Sequence, residues 1–362
     1  MQSHGTAMRE LDTPALVIDI AAMERNIARM AGFFREKPAK LRPHFKAHKC
    51  VEIARRQLAA GGAVGMTAAK VGEAEVLVEA GGFDDIIIAN QVVGRLKIER
   101  LLRLAGRARM MVAVDSVQNV SELDAATAAH HARLRVLVEV DVGMGRCGVR
   151  RIEDAVALAR QIDRASHLDF AGVMGYEGHA VLIEDAAERA AAGRKAMAGL
   201  VAARDAIVAA GLPVPIVSGG GTGTFDISGT YPGVTEIQAG SYVLMDAKYE
   251  GLHLAFETGL WCLAAIISRP EPDLALTDAG RKAITEEFGL APCLDLPGAV
   301  TVKSSEEHGH LRLNGGEAAI GQKVRMVPTH ICTTVNLHDQ FYAVRDGLLE
   351  AVWPIAARGK VQ

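Results

Sequence analysis

Residues 215–224 read Pro-Ile-Val-Ser-Gly-Gly-Gly-Thr-Gly-Thr, a short β-type run that breaks into consecutive glycines. Glycine lets a backbone turn its N–H groups toward one point, so such a turn suits an anion when it closes a strand. It is not a Walker loop, because no Gly-Lys-Ser/Thr follows, and it lacks the GxGxxG order of a dinucleotide fingerprint. The glycines alone fit a flexible surface loop equally well. The strands counted ahead of them separate the two readings.

Working outward, β-type runs fall at 41–46, 63–67, 85–89, 110–114, 135–141, 169–174, 215–218 and 235–238. Helix-patterned stretches at 51–60, 71–80, 96–105 and 152–165 lie between them. Eight strands alternating with helices predict an α/β fold, a (β/α)8 TIM-type barrel over residues 15–250. The glycine turn then follows the seventh strand and Ala239-Gly240-Ser241-Tyr242 the eighth. Those are the loops from which such barrels build a phosphate site. An earlier run, 15–20, precedes a helix striped by Ile27, Met30, Ala31 and Phe34. It is surplus to the eight and is expected to pair with strands of the C-terminal third. Beyond 251 long helices cease, and runs at 261–268, 299–302, 324–327, 340–345 and 348–354 predict a β-rich domain over 251–362, with residues 1–20 packed on it.

At 362 residues and 49% hydrophobic, the chain can bury a barrel and a smaller companion. Forty basic against forty-three acidic side chains leave a charge of -3, which offers no cationic field to nucleic acid or anionic lipid. No apolar segment is long enough to span a bilayer, and Met1 to Thr13 does not read as a targeting segment. Five scattered cysteines without a CxxC pair fit reduced thiols. A cytoplasmic protein acting on a small molecule is expected, with neither nucleic acid nor membrane as partner.

Three further segments carry chemistry. Arg42-Pro43-His44-Phe45-Lys46-Ala47-His48-Lys49 closes the first barrel strand. A lysine there projects into the barrel mouth, where desolvation and nearby cations favour the neutral amine that a Schiff base needs. The alternative is a pair of ordinary solvated lysines. Asp141-Val142-Gly143-Met144-Gly145-Arg146-Cys147-Gly148 closes the fifth strand, where Arg146 either donates a permanently charged hydrogen bond to a ligand or forms a structural ion pair. Thr329-His330-Ile331-Cys332 follows a β run. On extended backbone His330 and Cys332 face the same way and can share a divalent cation, while a buried His beside an inert Cys is the plainer alternative.

Together these segments, with Gln238-Ala239-Gly240-Ser241-Tyr242, Met245-Asp246 and Pro328-x-His330, resemble the D-threonine aldolase and D-serine dehydratase group of fold-type III pyridoxal-phosphate enzymes, related to alanine racemase. The resemblance runs from Leu11-Asp12-Thr13-Pro14 to Gly359. It implies that Lys46, not Lys49, carries pyridoxal 5'-phosphate. It places the cofactor phosphate at Gly220, Gly221, Thr222, Gly223 and Thr224 with Gly240, Ser241 and Tyr242. It sets Arg146 against the phenolic oxygen and Tyr176 against the cofactor, and assigns one divalent ion (Mn, Mg or Zn) to His330 and Cys332.

The implied reaction is retro-aldol cleavage of a D-3-hydroxy amino acid to glycine and an aldehyde. His-x-Cys is shared with D-serine and D-3-hydroxyaspartate dehydratases, so β-elimination to a 2-oxo acid and ammonia is the alternative, and amino-acid racemisation a more distant one. A non-catalytic pyridoxal-phosphate protein of similar barrel is disfavoured by the full C-terminal third. His179 or a metal-bound water is the candidate base, with His308 a further candidate. A homodimer is the expected assembly.

Overall fold

The structure, a computed structural model, describes residues 3–362. The chain runs through β1 (Ala15–Asp19), α1 (Ile20–Arg35), β2 (Lys40–Leu41), α2 (Val51–Ala59), β3 (Met66–Ala68), α3 (Val71–Ala80), β4 (Asp85–Gln91), α4 (Arg95–Ala105), β5 (Arg109–Val114) and α5 (Val117–Ala129). It continues as β6 (Leu134–Glu139), α6 (Ile152–Arg164), β7 (Leu168–Gly175), α7 (Ala186–Ala209), β8 (Ile216–Gly219), α8 (Phe225–Ser228), β9 (Glu236–Ile237) and α9 (Ala247–Glu250). The last third holds β10 (Leu260–Glu271), β11 (Leu274–Thr277), β12 (Val300–Ser304), β13 (Gly309–Arg312), β14 (Lys323–Met326), α10 (Ile331–Val335), β15 (Gln340–Arg345) and β16 (Leu348–Pro354).

The described chain divides into two compact units. One comprises Met30–Lys46, Ile53–Gly240 and Gly359–Gln362. Its sheet has eight parallel strands in the order β2-β9-β8-β7-β6-β5-β4-β3. It closes on itself through parallel bridges, Leu41 to Ala63 and His44 to Thr67, which makes it an α/β barrel. The interior is packed by Ile87, Met111, Ala113, Leu137, Ala171, Met174 and Ile216, all nearly excluded from solvent. Ile27, Met30, Ala31 and Phe34 are buried along α1, as their spacing predicts.

The expected first strand, 41–46, is corrected. Regular strand covers Lys40–Leu41, backbone pairing continues through His44, whose N–H meets the Ala239 carbonyl at 3.1 Å, and Phe45–Ala47 coil into a 3-10 turn. Pro43, with no N–H, leaves one rung of the ladder unmade, although its carbonyl accepts the Thr67 N–H at 2.8 Å. Arg42 braces this short strand from within. Its guanidinium is buried, meets both oxygens of Glu236 at 2.7 and 2.8 Å, and reaches Asp85 at 2.7 Å. Its carbonyl accepts the Thr67 hydroxyl at 3.0 Å.

The other unit comprises residues through Arg29, Ala47–Glu52 and Ser241–Arg358. Its strands run β12-β13-β11-β10-β1-β15-β16, with β14 also on β10. β1 pairs antiparallel with β10 and parallel with β15. β11 and β13 were not anticipated. Each is four residues long and half-buried in alternation, too short to stand out as an apolar run.

Arg42→Ala takes the bidentate cation from the buried Glu236, while Asp85 keeps Arg109 at 2.9 Å and Arg135 at 3.3 Å. It is expected to lower unfolding free energy by about 3–5 kcal/mol, read as a fall in the urea midpoint.

Candidate active site

Four barrel strands deliver the candidate groups at their carboxyl ends, where parallel barrels place their chemistry. Lys46, half-buried after β2, holds its Nζ 5.4 Å from the centre of the Tyr176 ring. The Arg146 guanidinium, on the loop after β6, stands 5.8 Å from the same ring. Gly220 to Thr224 follow β8 as a buried turn, not a loose surface loop. A Cβ on Gly221 would lie 3.2 Å from Tyr176 Cε2. The lysine amine, the arginine and the glycine turn therefore gather around one aromatic ring. Gly223 admits no side chain, since a Cβ there would sit 1.8 Å from the Val181 carbonyl oxygen.

His179 is exposed, its ring packed against Gly143, where a Cβ would lie 3.2 Å from Cε1 and Nε2. Glu139, at the end of β6, was not singled out from sequence. It is buried and accepts a 2.5 Å hydrogen bond from the Gln91 amide. Burial holds its carboxyl above the ordinary value against the opposing pull of Gln91 and Arg146. Lys49 is not an ordinary solvated lysine, for it is buried, has φ 53°, and its carbonyl accepts the Ala357 N–H at 3.1 Å.

In the second unit, His330 and Cys332 do not lie on a strand as expected. His330 is the N-cap of α10 and Cys332 sits in that helix's first turn. Two residues apart there is no longer a shared face, so the strand-period argument for the pair fails. The donors are nevertheless suited to a metal. His330 Nδ1 lies 3.6 Å from Glu287 Oε2, and Glu287 is fixed by the Thr333 hydroxyl at 2.8 Å. At that separation the pair is an electrostatic contact, longer than a hydrogen bond. No group of three or more His, Cys, Asp or Glu converges among the described residues, so a cation here would draw remaining ligands from solvent or substrate.

Asp246 fixes the start of α10. Its carboxylate accepts the N–H groups of Tyr249 and Ile331, each at 3.0 Å, capping α9 and α10 together. Burial pushes its carboxyl up to about 6. Ser241 and Tyr242 also belong to this unit. Tyr242 is fully buried with its ring 5.7 Å from that of Phe256, and Ser241 is half-buried. His308 is exposed in the turn between β12 and β13.

The family model "Alanine racemase, N-terminal domain" matches residues 18–248, and that described as "Putative serine dehydratase domain" matches 259–344. A D-threonine aldolase of Arthrobacter sp is 40% identical over 98% of this chain and 95% of its own length. The chain belongs to the D-threonine aldolase and D-serine dehydratase family. A 3-hydroxy-D-aspartate aldolase of Paracoccus denitrificans (strain Pd 1222) is 38% identical over 97% of this chain and 93% of that relative. The crystal structure of D-threonine aldolase from Filomicrobium marinum superposes with a TM-score of 0.96 at 39% identity, covering 99% of both chains.

This lyase family depends on pyridoxal phosphate, and the barrel residues fit that cofactor. An amine and a permanent cation face one ring, and a buried glycine turn meets that ring's edge at the distance a Cβ-free backbone permits.

Two outcomes follow. Folding raises the Glu139 pKa, so the stabilising proton is fully present below the unfolded value near 4.5 and is lost as pH rises through the folded one. Glu139→Gln should match the parent in urea near pH 4 and exceed its midpoint at pH 8. Asp246→Ala should cost roughly 2 kcal/mol through loss of two caps, measured by the same denaturation at pH 7.

Proposed function

We propose that this protein cleaves D-3-hydroxy amino acids by retro-aldol chemistry, releasing glycine and an aldehyde, with pyridoxal phosphate at Lys46 and a divalent cation at His330 and Cys332. The observation that carries the reading is the full-length likeness to two aldolases, in a chain whose Lys46 and Arg146 flank a single Tyr176 ring. Bound pyridoxal phosphate supplies a conjugated ring that takes up the electron pair left on Cα. A divalent cation supplies Lewis acidity toward the substrate β-hydroxyl.

The chain's own groups do the rest. Lys46 provides the amine that anchors the cofactor aldehyde carbon. Arg146 donates to its phenolic oxygen with a charge that no physiological pH removes. Tyr176 lines one side of the site. Gly220 to Thr224, with Gly240, Ser241 and Tyr242, hold the phosphate. His179, exposed at the rim, accepts the β-hydroxyl proton. In this reading residues 15–250 carry the cofactor and 251–362 the metal ligands. The match to a dehydratase domain model supports a second reading, in which Lys46 takes the Cα proton and the β-hydroxyl leaves.

The active assembly is a cytoplasmic homodimer. Val93, Leu96, Val117 and Ile152 support the dimer, since all are exposed apolar residues on segments leading from β4, β5 and β6.

With D-threonine and added manganese or zinc, the purified protein should yield glycine and acetaldehyde, and a chelator should stop the reaction. Pyruvate and ammonia from D-serine, with no glycine from D-threonine, would decide for the second reading. Lys46→Ala should lose the visible absorbance that borohydride erases in the parent.

A further inference from the structure

Glu177 lies between Tyr176 and the exposed His179, yet it is completely buried. Its side chain packs against the glycine turn. One carboxylate oxygen accepts the Gly220 N–H at 3.0 Å. The other accepts the Thr224 hydroxyl at 2.7 Å and the Ser228 hydroxyl at 2.5 Å. Having given its proton away, the Thr224 hydroxyl accepts the Gly221 N–H at 3.3 Å, which closes the turn on itself. Gly220 is held meanwhile at φ +78°, a left-handed conformation that glycine adopts without strain.

We propose that Glu177 is the positioning residue of the anion cradle: a buried carboxylate that pins the turn in the one conformation able to grip a phosphate ester. This rests on the reading of Gly220 to Thr224 as the phosphate site. A carboxylate behind a dianion site would by itself repel the ligand. Here three donors consume it, and they fix Gly220 and Thr224 at the two ends of the turn. The N–H groups between those ends thus keep their direction before any ligand arrives, so binding does not have to order them. Glutamine cannot replace Glu177. Its carbonyl oxygen can accept from Thr224 and Ser228, but its NH2 then faces the Gly220 N–H donor to donor.

The test compares two probes on the full chain cleared of cofactor with hydroxylamine: pyridoxal phosphate and pyridoxal, which share the aldehyde and differ in the phosphate. The parent should bind the phosphorylated probe far more tightly. Glu177→Gln should lose about tenfold or more of that preference, the scale of one charged hydrogen bond, while pyridoxal affinity stays within about twofold. Ser228→Ala removes one donor only, remains informative if Glu177→Gln does not fold, and should lose a smaller part. A parent without preference for the phosphate would overturn the phosphate-site reading itself. A parent with the preference, and variants that keep it in full while only melting earlier, would overturn the role of Glu177 and leave that reading standing. Equal loss of both probes would likewise overturn it, since a general collapse of the site does not single out the phosphate.

Discussion

The barrel depends on a seam at its shortest strand. β2 is two residues long, and its backbone pairing runs on only as far as His44. Arg42 compensates from within by joining the start of β9 through Glu236, the start of β4 through Asp85 and β3 through Thr67. Taking three charges out of water is costly and is tolerated because each is met at close range. The same short strand leads directly into the 3-10 turn that aims Lys46 at Tyr176. Closure of the fold and direction of the reactive amine are thus one problem, solved within five residues of chain.

A second pattern recurs within each unit. Turns and helix starts are anchored by buried acids. Glu177 holds the glycine turn, and Asp246 holds the starts of α9 and α10. Both trade desolvation for directed hydrogen bonds, which fixes segments that have little apolar surface of their own to pack.

Much of this architecture could be read from residue order. The eight barrel strands announce themselves through β-branched runs between amphipathic helices, and α3, β15 and β16 end where the pattern says. Lys46, Arg146 and the glycine turn stood out because rare backbone requirements and charged groups coincide at strand ends. Glu177 and Glu139 did not, and Asp246 entered only within the Met245-Asp246 segment, since in sequence a buried acid looks like any surface acid and only the fold reveals its donors. The strand expected over 41–46 gives way to a 3-10 turn at Phe45, and the extended backbone expected at Cys332 gives way to a helix whose first N–H is held by Asp246, 85 residues away in the chain. That partner is not visible to local periodicity.

β1 lies at the centre of its sheet, between β10 and β15, although more than two hundred residues of barrel intervene before β10. The sheet is therefore discontinuous in the gene. A fragment starting near residue 251 would inherit two ribbons, one ending at β10 and one at β15, with no strand to join them. Recombination that exchanges this module among relatives has to carry two separate stretches of coding sequence, or the incoming half arrives without its middle.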